Sequence, residues 1–590
     1  MNTNTLSKKE YDILVALFDG TYKNQRQLAD KTGYSLGLVN KTISILRDKK
    51  MIDKDMKPTK KAYDISDESA PQNAIILAAG YGMRMVPINT ETPKGLLEVK
   101  NEALIERMIV FLQEVGIKKI YVVVGFMKEN YEFLIDKYGV ELIVNSQYSS
   151  KNNLYSLKCA ADYLGDTYII PCDIWCKNNP FNKHEFYSWY MVLDDKNNDS
   201  EVKVSRSMEL IKKKKNESGN SMIGISYITK KDAVFVKNKI KSFVGSDRYD
   251  DSFWEETLYE GNKMILYAKL ISGEDAVEIN TYEQLRNLDN NSNHLRSDAL
   301  DVIRNVFNVD LNEINNIDVL KKGMTNRSFK FEVKGKKYIM RIPGEGTEFL
   351  INRRHEAEVY EALKGKGICD DTIYLNPDNG YKITKYLEGV RTCNPDSEAD
   401  LKICMKKLKE FHNMKLMVKH EFDVFQQINF YEQLWNGANS VYKDYETTKK
   451  HVFDLKQYIN KQKIEKCLTH IDAVSDNFLF YEKNGKENVQ LTDWEYSGMQ
   501  DPHVDIAMFC IYSLYDKNQV DKLINIYFDN KCKEDIRIKI YCYIAACGLL
   551  WSNWCEYKRQ LGIEFGEYSI RQYRYAKEYY RLATEKMTEV

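Results

Sequence analysis

The sequence lacks net charge, because 86 lysine and arginine residues balance 86 aspartate and glutamate residues in a chain of 590. Such a chain has no general attraction to nucleic acid or to an anionic membrane, so charge-driven binding must be local. It also lacks a long apolar run: its most apolar late stretch, residues 540–554, is interrupted by tyrosine, cysteine and serine. That stretch is too short to cross a bilayer, and we expect no membrane partner.

A disulfide framework is not indicated either. The 12 cysteines are scattered along the chain without the paired spacing of a zinc site, which suits a reducing compartment. The first residues do not join a basic segment to an apolar core, so they do not resemble a secretory signal. We therefore expect a cytoplasmic location.

The length exceeds what one hydrophobic core can serve, since domains average about 150 residues. Polar stretches at residues 66–72 and 289–293 have the composition of linkers. They predict three domains, at residues 1–66, 73–290 and 296–590.

The first segment has a helical pattern. A capping-box spacing begins at Ser7, a second helix is expected over residues 25–31, and a third over residues 36–49, followed by a polar hairpin-like stretch through Tyr63. This order resembles a winged helix-turn-helix. Asn40, Lys41 and Arg47 are its obvious candidates for DNA contacts, whereas a dimerisation or lid module without a nucleic acid partner is the alternative.

A glycine-rich loop opens the second segment. A buried strand candidate runs into it, and the small residues that form its signature are Leu77, Ala78, Ala79, Gly80 and Gly82. Their backbone N–H groups can approach phosphate oxygens, while Arg84 and Lys94 supply positive charge to the pyrophosphate and the attacked phosphorus. Together they predict nucleotidyl transfer.

These motifs resemble the sugar-nucleotide and phosphocholine nucleotidyltransferases over residues 73–288. The resemblance implies a Rossmann-like sheet and a catalytic Mg²⁺ bound by Asp173. A second ligand in that family lies in a Glu-Ile-Asp stretch, where this sequence has Asn280 in place of aspartate. Asparagine can coordinate through its carbonyl oxygen, but the site then has one negative charge fewer.

Within that family, Asn152 and Asn153 resemble the phosphocholine version. Trp254 and Glu255 suit a trimethylammonium group through cation–π attraction and charge, although Trp254 as an ordinary core residue is the alternative. The implied reaction is in-line attack of the phosphocholine oxygen on the α-phosphorus of CTP, without a protein nucleophile.

The third segment carries kinase-like landmarks. A loop at residues 322–326 ending in Asn326 is expected to cover ATP phosphates, and Arg341 on a strand is expected to pair with Glu356 on a helix. Tyr386 lies in a stretch that resembles the interlobe hinge contacting adenine.

The decisive stretch has the form His-x-Asp-x₄-Asn, with a further aspartate on the next strand. Its spacing lets Asp472 accept a substrate hydroxyl proton, while Asn477 and Asp493 hold Mg²⁺ against the ATP phosphates. With Asp505, it resembles the choline/ethanolamine kinases and aminoglycoside phosphotransferases over roughly the last half of the chain. The resemblance implies a bilobal protein-kinase-like domain, in which Asp505 braces the catalytic loop.

Two indoles favour choline as the substrate. Trp551 and Trp554 lie one helical turn apart, so they can form walls of a cage for a quaternary ammonium, and choline kinases carry a matching pair. Glu495 is assigned to the same substrate site. Ordinary packing of the two indoles is the alternative.

The two segments agree chemically, because the kinase product is the transferase substrate. We therefore predict a multidomain α/β and α+β enzyme that uses ATP, CTP, choline and phosphocholine to make CDP-choline, for phosphocholine decoration of a bacterial surface polymer. A pair acting on ethanolamine or an amino sugar, and a metabolite-sensing transcriptional regulator, are the alternatives.

Overall fold

The computed structural model describes residues 6–68, 70–88, 92–320, 326–344, 347, 350–483, 485–561 and 565–589. The chain divides into two compact units, Met1–Ser297 and Asp298–Val590. The first predicted domain does not separate from the second at this level.

The first unit begins with four helices, which are α1 (Lys8–Asp19), α2 (Gln25–Thr32), α3 (Leu36–Asp48) and α4 (Lys60–Glu68). The predicted capping box at Ser7 is present at the start of α1. Gly33 ends α2 in the left-handed conformation, with φ of 70°, and leaves a three-residue turn before α3. A single bridge joins Ile52 to Pro58.

The predicted polar hairpin is shorter than expected. It covers only the few residues around the Ile52–Pro58 bridge, because α4 begins at Lys60 and buries Ala62 against the other helices. This helix also runs into the stretch predicted to be a linker.

The strands of the first unit are β1 (Asn73–Ala78), β2 (Glu98–Val99), β3 (Glu102–Ala103), β4 (Lys119–Val124), β5 (Glu141–Val144), β6 (Thr167–Pro171), β7 (Ile174–Cys176), β8 (Trp189–Asn197), β9 (Val202–Val204), β10 (Glu209–Lys212), β11 (Gly219–Ile228), β12 (Tyr259–Glu260), β13 (Lys263–Ile271) and β14 (Ala276–Glu278). The helices that follow α4 are α5 (Leu104–Glu114), α6 (Phe133–Tyr138), α7 (Asn153–Cys159), α8 (Lys230–Phe243) and α9 (Tyr282–Leu288).

The large sheet has the order β5-β4-β1-β6-β11-β8-β13-β10-β9, and β12 pairs with β13. Strands β5, β4, β1 and β6 are parallel, with Ile76 opposite both Val122 and Ile170. The central strand β1 is buried on both faces, which explains its nearly unbroken apolar sequence. Because β1 and β6 are parallel, their carboxyl ends bring the following loops to one edge.

The strands of the second unit are β15 (Asn315–Val319), β16 (Asn326–Val333), β17 (Lys336–Pro343), β18 (Thr372–Leu375), β19 (Lys382–Lys385), β20 (Arg391–Thr392), β21 (Cys467–Thr469), β22 (Phe478–Lys483), β23 (Lys486–Leu491) and β24 (Gly498–Gln500). Its helices are α10 (Asp298–Phe307), α11 (Arg353–Leu363), α12 (Glu398–Asn413), α13 (Val424–Gln433), α14 (Tyr445–Asp454), α15 (Lys456–Lys461), α16 (His503–Tyr512), α17 (Lys517–Tyr527), α18 (Glu534–Gln560) and α19 (Glu567–Glu589).

An antiparallel sheet of order β15-β16-β17-β19-β18 forms the first part of this unit. The rest is mainly helical around one large apolar core, in which α18 is buried along most of its length. Short sheets β20-β22-β23 and β21-β24 carry the loops between these helices. Among the described residues, no helix combines the length and apolar character needed to cross a membrane.

The close contact between α18 and α19 generates a stability prediction. A Cβ at Gly548 would lie 2.8 Å from the carbonyl oxygen of Gln572 and 2.8 Å from Cβ of Tyr575. We expect Gly548→Ala to lower the free energy of unfolding by about 1–3 kcal/mol, since overpacking displaces the helices. Chemical denaturation measures this change in the free energy of unfolding. Gln560→Ala, at the exposed end of α18, is the control, and an equal loss in both variants would contradict the interpretation.

Candidate active sites

The glycine-rich loop follows β1 and lines a cleft of about 610 Å³. The lining includes Leu77, Ala79, Gly80 and Gly82, because alternate side chains of a strand face the same side. Ala78 points to the opposite face and packs in the core beneath the sheet. It can therefore contribute only backbone atoms to this cleft.

Charged side chains from separate segments meet at the same cleft. Lys94 forms an ion pair with Asp173, and its Nζ donates to Oδ1 of Asn280 at 2.8 Å. Arg84 donates to the same oxygen from Nη2 at 3.0 Å. The structure thus brings together four residues that the sequence separates by almost 200 positions.

Asp173 keeps one oxygen available. Its Oδ1 is buried and has no hydrogen-bond partner in the described structure, while the other oxygen meets Lys94. A buried unpaired carboxylate oxygen is costly in a folded protein and fits a site that receives a cation. In the described parts of the chain, no three His, Cys, Asp or Glu side chains cluster as a complete metal site.

Glu278 is a cleft residue that sequence reasoning missed. Its pKa is raised by burial and by the nearby Asp173, and its carboxylate accepts a hydrogen bond from Asn280. The residue precedes Asn280 in the Glu-Ile-Asn stretch already singled out, so the family pattern contained the signal. The cleft therefore has, besides Asp173, a carboxylate on which both Lys94 and Arg84 act.

The predicted substrate side is held by asparagines. Nδ2 of Asn152 donates to the carbonyl oxygen of Asp251 at 2.9 Å, and Oδ1 of Asn153 accepts from the backbone N–H of Trp254 at 2.8 Å. These contacts fix the segment around Trp254 against the start of α7. Both asparagines line the cleft.

Trp254 itself lies in the core, as the alternative interpretation had it. Its ring is fully buried and packs near Tyr190, whereas the adjacent Phe253 and Glu255 line the cleft. Phe253 is 58% exposed. The reason is the turn at this point, which directs neighbouring side chains to opposite sides. Phe253, and not Trp254, thus contributes an aromatic ring to the cleft, which is also lined by Tyr81, Tyr148 and Tyr190.

Glu255 has an unusual environment for a carboxylate. It accepts a hydrogen bond from the hydroxyl of Tyr190 at 2.8 Å, and its second oxygen is buried without a partner in the described structure. Burial raises its pKa to about 7. A cationic ligand beside this group would favour its charged form.

In the second unit, Arg341 on β17 pairs with Glu356 on α11, as the sequence predicted. The pair is bidentate, with Nη2 of Arg341 at 2.9 Å from Oε2, and the same Nη2 donates to the carbonyl oxygen of Gly380 at 2.8 Å. Both side chains are buried. Bidentate pairing fixes the direction of the guanidinium group as well as its position.

Arg353 extends this pair into a network that the sequence did not reveal. Its Nη1 donates to Oε2 of Glu356 at 3.0 Å and to Oε2 of Glu495 at 3.1 Å. Nδ2 of Asn326 also donates to Glu495, at 3.0 Å. Glu495 is therefore engaged by protein groups, and its predicted substrate contact would have to share the carboxylate with Arg353. Residues 322–325 of the predicted phosphate loop lie outside the described residues.

The catalytic-loop candidates lie together. Nδ2 of Asn477 donates to Oδ2 of Asp472 at 3.0 Å and to its carbonyl oxygen at 2.8 Å. Asp505 accepts from the backbone N–H groups of His470 and Ile471 at 3.0 and 2.7 Å. The expectation that Asp505 braces this loop is confirmed.

Asp493 faces the same loop. Burial raises its pKa strongly, with further increases from Glu495 and Asp472, and the nearby Lys382 and Arg341 oppose them. Burial also raises the pKa of Asp472 to about 7, helped by Glu495. Carboxylates that raise one another's pKa lie close together and would gain from a bound cation.

Tyr386 lies directly after β19, and its backbone N–H donates to the carbonyl oxygen of Lys337 at 3.1 Å. This contact ties the predicted hinge to the start of β17. The ring lies under the ammonium of Lys330, at 5.6 Å.

The two indoles form an aromatic wall with a residue that the sequence did not single out. Trp551 meets Trp554 edge-on at 5.3 Å between ring centres, and meets Tyr496 edge-on at 5.9 Å. Burial is the main cause of the raised pKa of Tyr496, and Asp472 contributes to it. Tyr496, at one end of this wall, therefore lies near the candidate proton acceptor.

Comparison with known proteins identifies both parts. Residues 317–574 match the family model described as Choline/ethanolamine kinase, and residues 74–179 match the MobA-like NTP transferase domain. The choline-phosphate cytidylyltransferase of Streptococcus pneumoniae is 30% identical over 230 residues, covering 37% of this chain and 96% of the relative. The chain belongs to the choline-phosphate cytidylyltransferase family.

The later half has its own relatives beside this family. Protein LicA of Haemophilus influenzae is 28% identical over 262 residues, covering 42% of this chain and 96% of LicA. The crystal structure of choline kinase LicA from Streptococcus pneumoniae is 28% identical with a TM-score of 0.42, covering 48% of this chain and all of that one. The chain thus combines a cytidylyltransferase-family segment with a later segment that matches the choline/ethanolamine kinase model.

The buried network predicts a large effect of one substitution in the kinase part. Removing the carboxylate in Glu356→Ala leaves Arg341 and Arg353 without their shared buried partner. We expect a loss of about 3–5 kcal/mol in the free energy of unfolding, measured by denaturant titration. Glu361→Ala removes an exposed carboxylate from the same helix and should change it by less than about 0.5 kcal/mol. Similar losses in both would contradict the network's importance.

Proposed function

We propose that this chain makes CDP-choline in two steps. The kinase part transfers the γ-phosphoryl group of ATP to the choline hydroxyl, giving phosphocholine and ADP. The cytidylyltransferase part then transfers CMP from CTP to phosphocholine, releasing pyrophosphate. The observation that carries the proposal is the presence of two separate charged clefts, one in each compact unit, beside matches to the two corresponding families.

The domain assignment follows the same reasoning. Residues 1–66 form a winged helix-turn-helix module, residues 73–290 the cytidylyltransferase and residues 296–590 the kinase. The helical order α1 to α3 and the bridge after α3 support the first assignment.

In the kinase, Asp472 accepts the proton of the choline hydroxyl as the oxygen attacks phosphorus. Asn477 holds the carboxylate in position through its side-chain amide. Arg341, oriented by Glu356, meets the phosphates of ATP, while Asn326 and Tyr386 contribute to the nucleotide site.

Choline recognition falls to the aromatic wall. Tyr496 and Trp551 are partly exposed, while Trp554 is buried and packs edge-on behind Trp551 as part of the core. The first two rings, with Tyr496 near Asp472, suit a quaternary ammonium whose hydroxyl must reach that carboxylate. Glu495 adds negative charge from within its network. The same negative charge would also attract the ammonium group of ethanolamine, which makes ethanolamine the closest alternative substrate.

In the cytidylyltransferase, the backbone around Gly80 and Gly82 holds the CTP phosphates. Lys94 and Arg84 stabilise the charge that develops on the α-phosphoryl group and on pyrophosphate. Phe253 and Glu255, beside Asn152 and Asn153, face the trimethylammonium group of phosphocholine.

Magnesium is the metal that the residues fit. Asp173 would hold it in the cytidylyltransferase, and its unpaired Oδ1 supports this assignment. Asn280 would join as a ligand only where Lys94 and Arg84 leave its Oδ1 for the nucleotide phosphates. Asn477 and Asp493 would hold the metal in the kinase. Mg²⁺ in phosphoryl-transfer sites is bound by one or two carboxylates together with substrate phosphates. When bound, it would supply positive charge that offsets the charge of the phosphates.

The experiment that tests the whole proposal supplies purified protein with choline, ATP, CTP and magnesium. CDP-choline should appear only when both nucleotides are present. Parallel reactions with ethanolamine and with an amino sugar separate the alternative substrates. If neither phosphocholine nor CDP-choline forms, the proposed function is rejected. The use of CDP-choline for a bacterial surface polymer stays a prediction from family resemblance.

Two substitutions should separate the activities. Asp472→Ala removes the proton acceptor and should lower choline phosphorylation by about 10²–10⁴-fold, without changing cytidylyl transfer from supplied phosphocholine. Lys94→Ala should lower cytidylyl transfer by about 10²–10³-fold and leave the kinase unchanged. ADP and pyrophosphate release measure the two steps. Each variant controls for the folding of the other part, and loss of both activities in a folded variant would contradict the two-site assignment.

The aromatic wall predicts a change in choline affinity. Trp551→Ala should raise the KM for choline about twofold to thirtyfold, since a cation–π contact contributes about 0.5–2 kcal/mol, with little change in the KM for ATP. The KM of Trp551→Phe for choline should lie between the values of Trp551→Ala and the wild type. For the neutral carbon isostere of choline, Trp551→Ala should reduce affinity less than it does for choline. Equal reductions for the two ligands would show that the ring acts only through packing.

A further inference from the structure

The first helices carry a motif that the proposed enzyme does not use. One side of this module is already occupied by the rest of the first unit. The ring of Tyr11 stacks on Phe186 at 4.7 Å, and Phe18 packs on His184 at 4.8 Å. The hydroxyl of Tyr187 donates to Asp12 in the same contact. Helix α1 therefore faces inward.

The other side of the module presents a helix-turn-helix. Helices α2 and α3 are joined by a turn of three residues that begins with Gly33, the length and composition typical of DNA-binding versions. Helix α3 buries one stripe in the module core, namely Val39, Thr42, Ile43 and Leu46. Its opposite stripe is exposed and includes Leu36, Gly37, Asn40, Lys41, Ser44, Arg47 and Asp48.

This exposed stripe borders a concave surface of about 710 Å³ between the starts of α2 and α3 and residues 54–56. Cations outnumber acids on it, since Lys23, Arg26, Arg47 and Lys54 line it with Asp55 as the acid among its lining residues. Arg47 donates from Nη2 to the carbonyl oxygen of Lys54 at 2.9 Å, which fixes the short hairpin beside α3. The concavity is thus a built feature of the module.

The remaining cations are free to meet a partner. Among the described residues, no carboxylate lies within ion-pair distance of Lys23, Arg26, Lys41 or Lys54, although other exposed lysines of this chain are paired. The four are exposed. In a chain without net charge, a local group of unpaired cations is the kind of feature that attracts a polyanion.

We propose that this basic face, defined by Lys23, Arg26, Asn40, Lys41 and Lys54, binds duplex DNA. Helix α3 enters the major groove, which is wide enough to admit one helix. Its small residues allow close approach, since a Cβ at Gly37 would meet nothing within 4 Å. Asn40 and Lys41 face base edges, and the cations of α2 and the hairpin meet phosphates on either side.

The test uses the full chain and a fluorescently labelled duplex of about 20 base pairs with mixed sequence, followed by anisotropy at increasing salt. We expect non-specific binding with a dissociation constant of roughly 10⁻⁶–10⁻⁴ M at physiological salt, weakening steeply as salt rises. Absence of binding even at low salt would overturn the proposal. So would tighter binding to anionic lipid vesicles or to single-stranded RNA of the same length.

Paired variants locate the contact. Arg26→Ala with Lys54→Ala should weaken binding and reduce the slope of log affinity against log salt by about 2, because each phosphate contact contributes about 0.9. Lys118→Ala with Lys119→Ala removes two exposed lysines beside β4 and should leave the slope unchanged. Equal effects of the two pairs would place binding elsewhere and reject the face. Both enzyme activities should be unchanged in all variants, since none of these residues lies in either cleft. Measuring these activities distinguishes a variant that has lost only DNA binding from one that has unfolded.

Discussion

The two sites depend on one electrostatic constraint, which is that each holds carboxylates close together in a partly buried cleft. In the kinase part, burial raises the pKa of both Asp472 and Asp493, and Glu495 adds to each shift. Like charges at such short range are unfavourable unless cations compensate them. Arg353 supplies part of that compensation through Glu495. In the proposed function, magnesium bound with the nucleotide supplies the remainder.

The cytidylyltransferase cleft solves the same electrostatic problem with different residues. Asp173 and Glu278 approach each other there, while Lys94 and Arg84 converge on Asn280 between them. Asparagine at this position lowers the total negative charge and accepts hydrogen bonds from both cations through a single oxygen. The cleft can therefore hold its cations in place before a triphosphate arrives, which is the preorganisation that electrostatic catalysis requires.

Rigid supports keep these charged groups in register. Asp505 binds two successive backbone N–H groups of the catalytic loop and also contacts Nε2 of His412 at 2.9 Å. In the other unit, the parallel pairing of β1 and β6 brings the glycine-rich loop and Asp173 to the same sheet edge. Each support lies in the core, where close packing resists displacement. The packed core beneath each cleft thus holds the candidate catalytic side chains in position.

The sequence by itself determined the local motifs: the glycine-rich loop, the catalytic loop around Asp472, and the pairing of Arg341 with Glu356. These follow from short spacing, since a strand end or a loop of fixed length leaves few directions for its side chains. Only the tertiary structure decided that Trp254 is buried while Phe253 lines the cleft, and that Arg353 holds Glu495. Such choices depend on contacts between segments far apart in sequence, and neither spacing nor composition records which distant partner a side chain will meet.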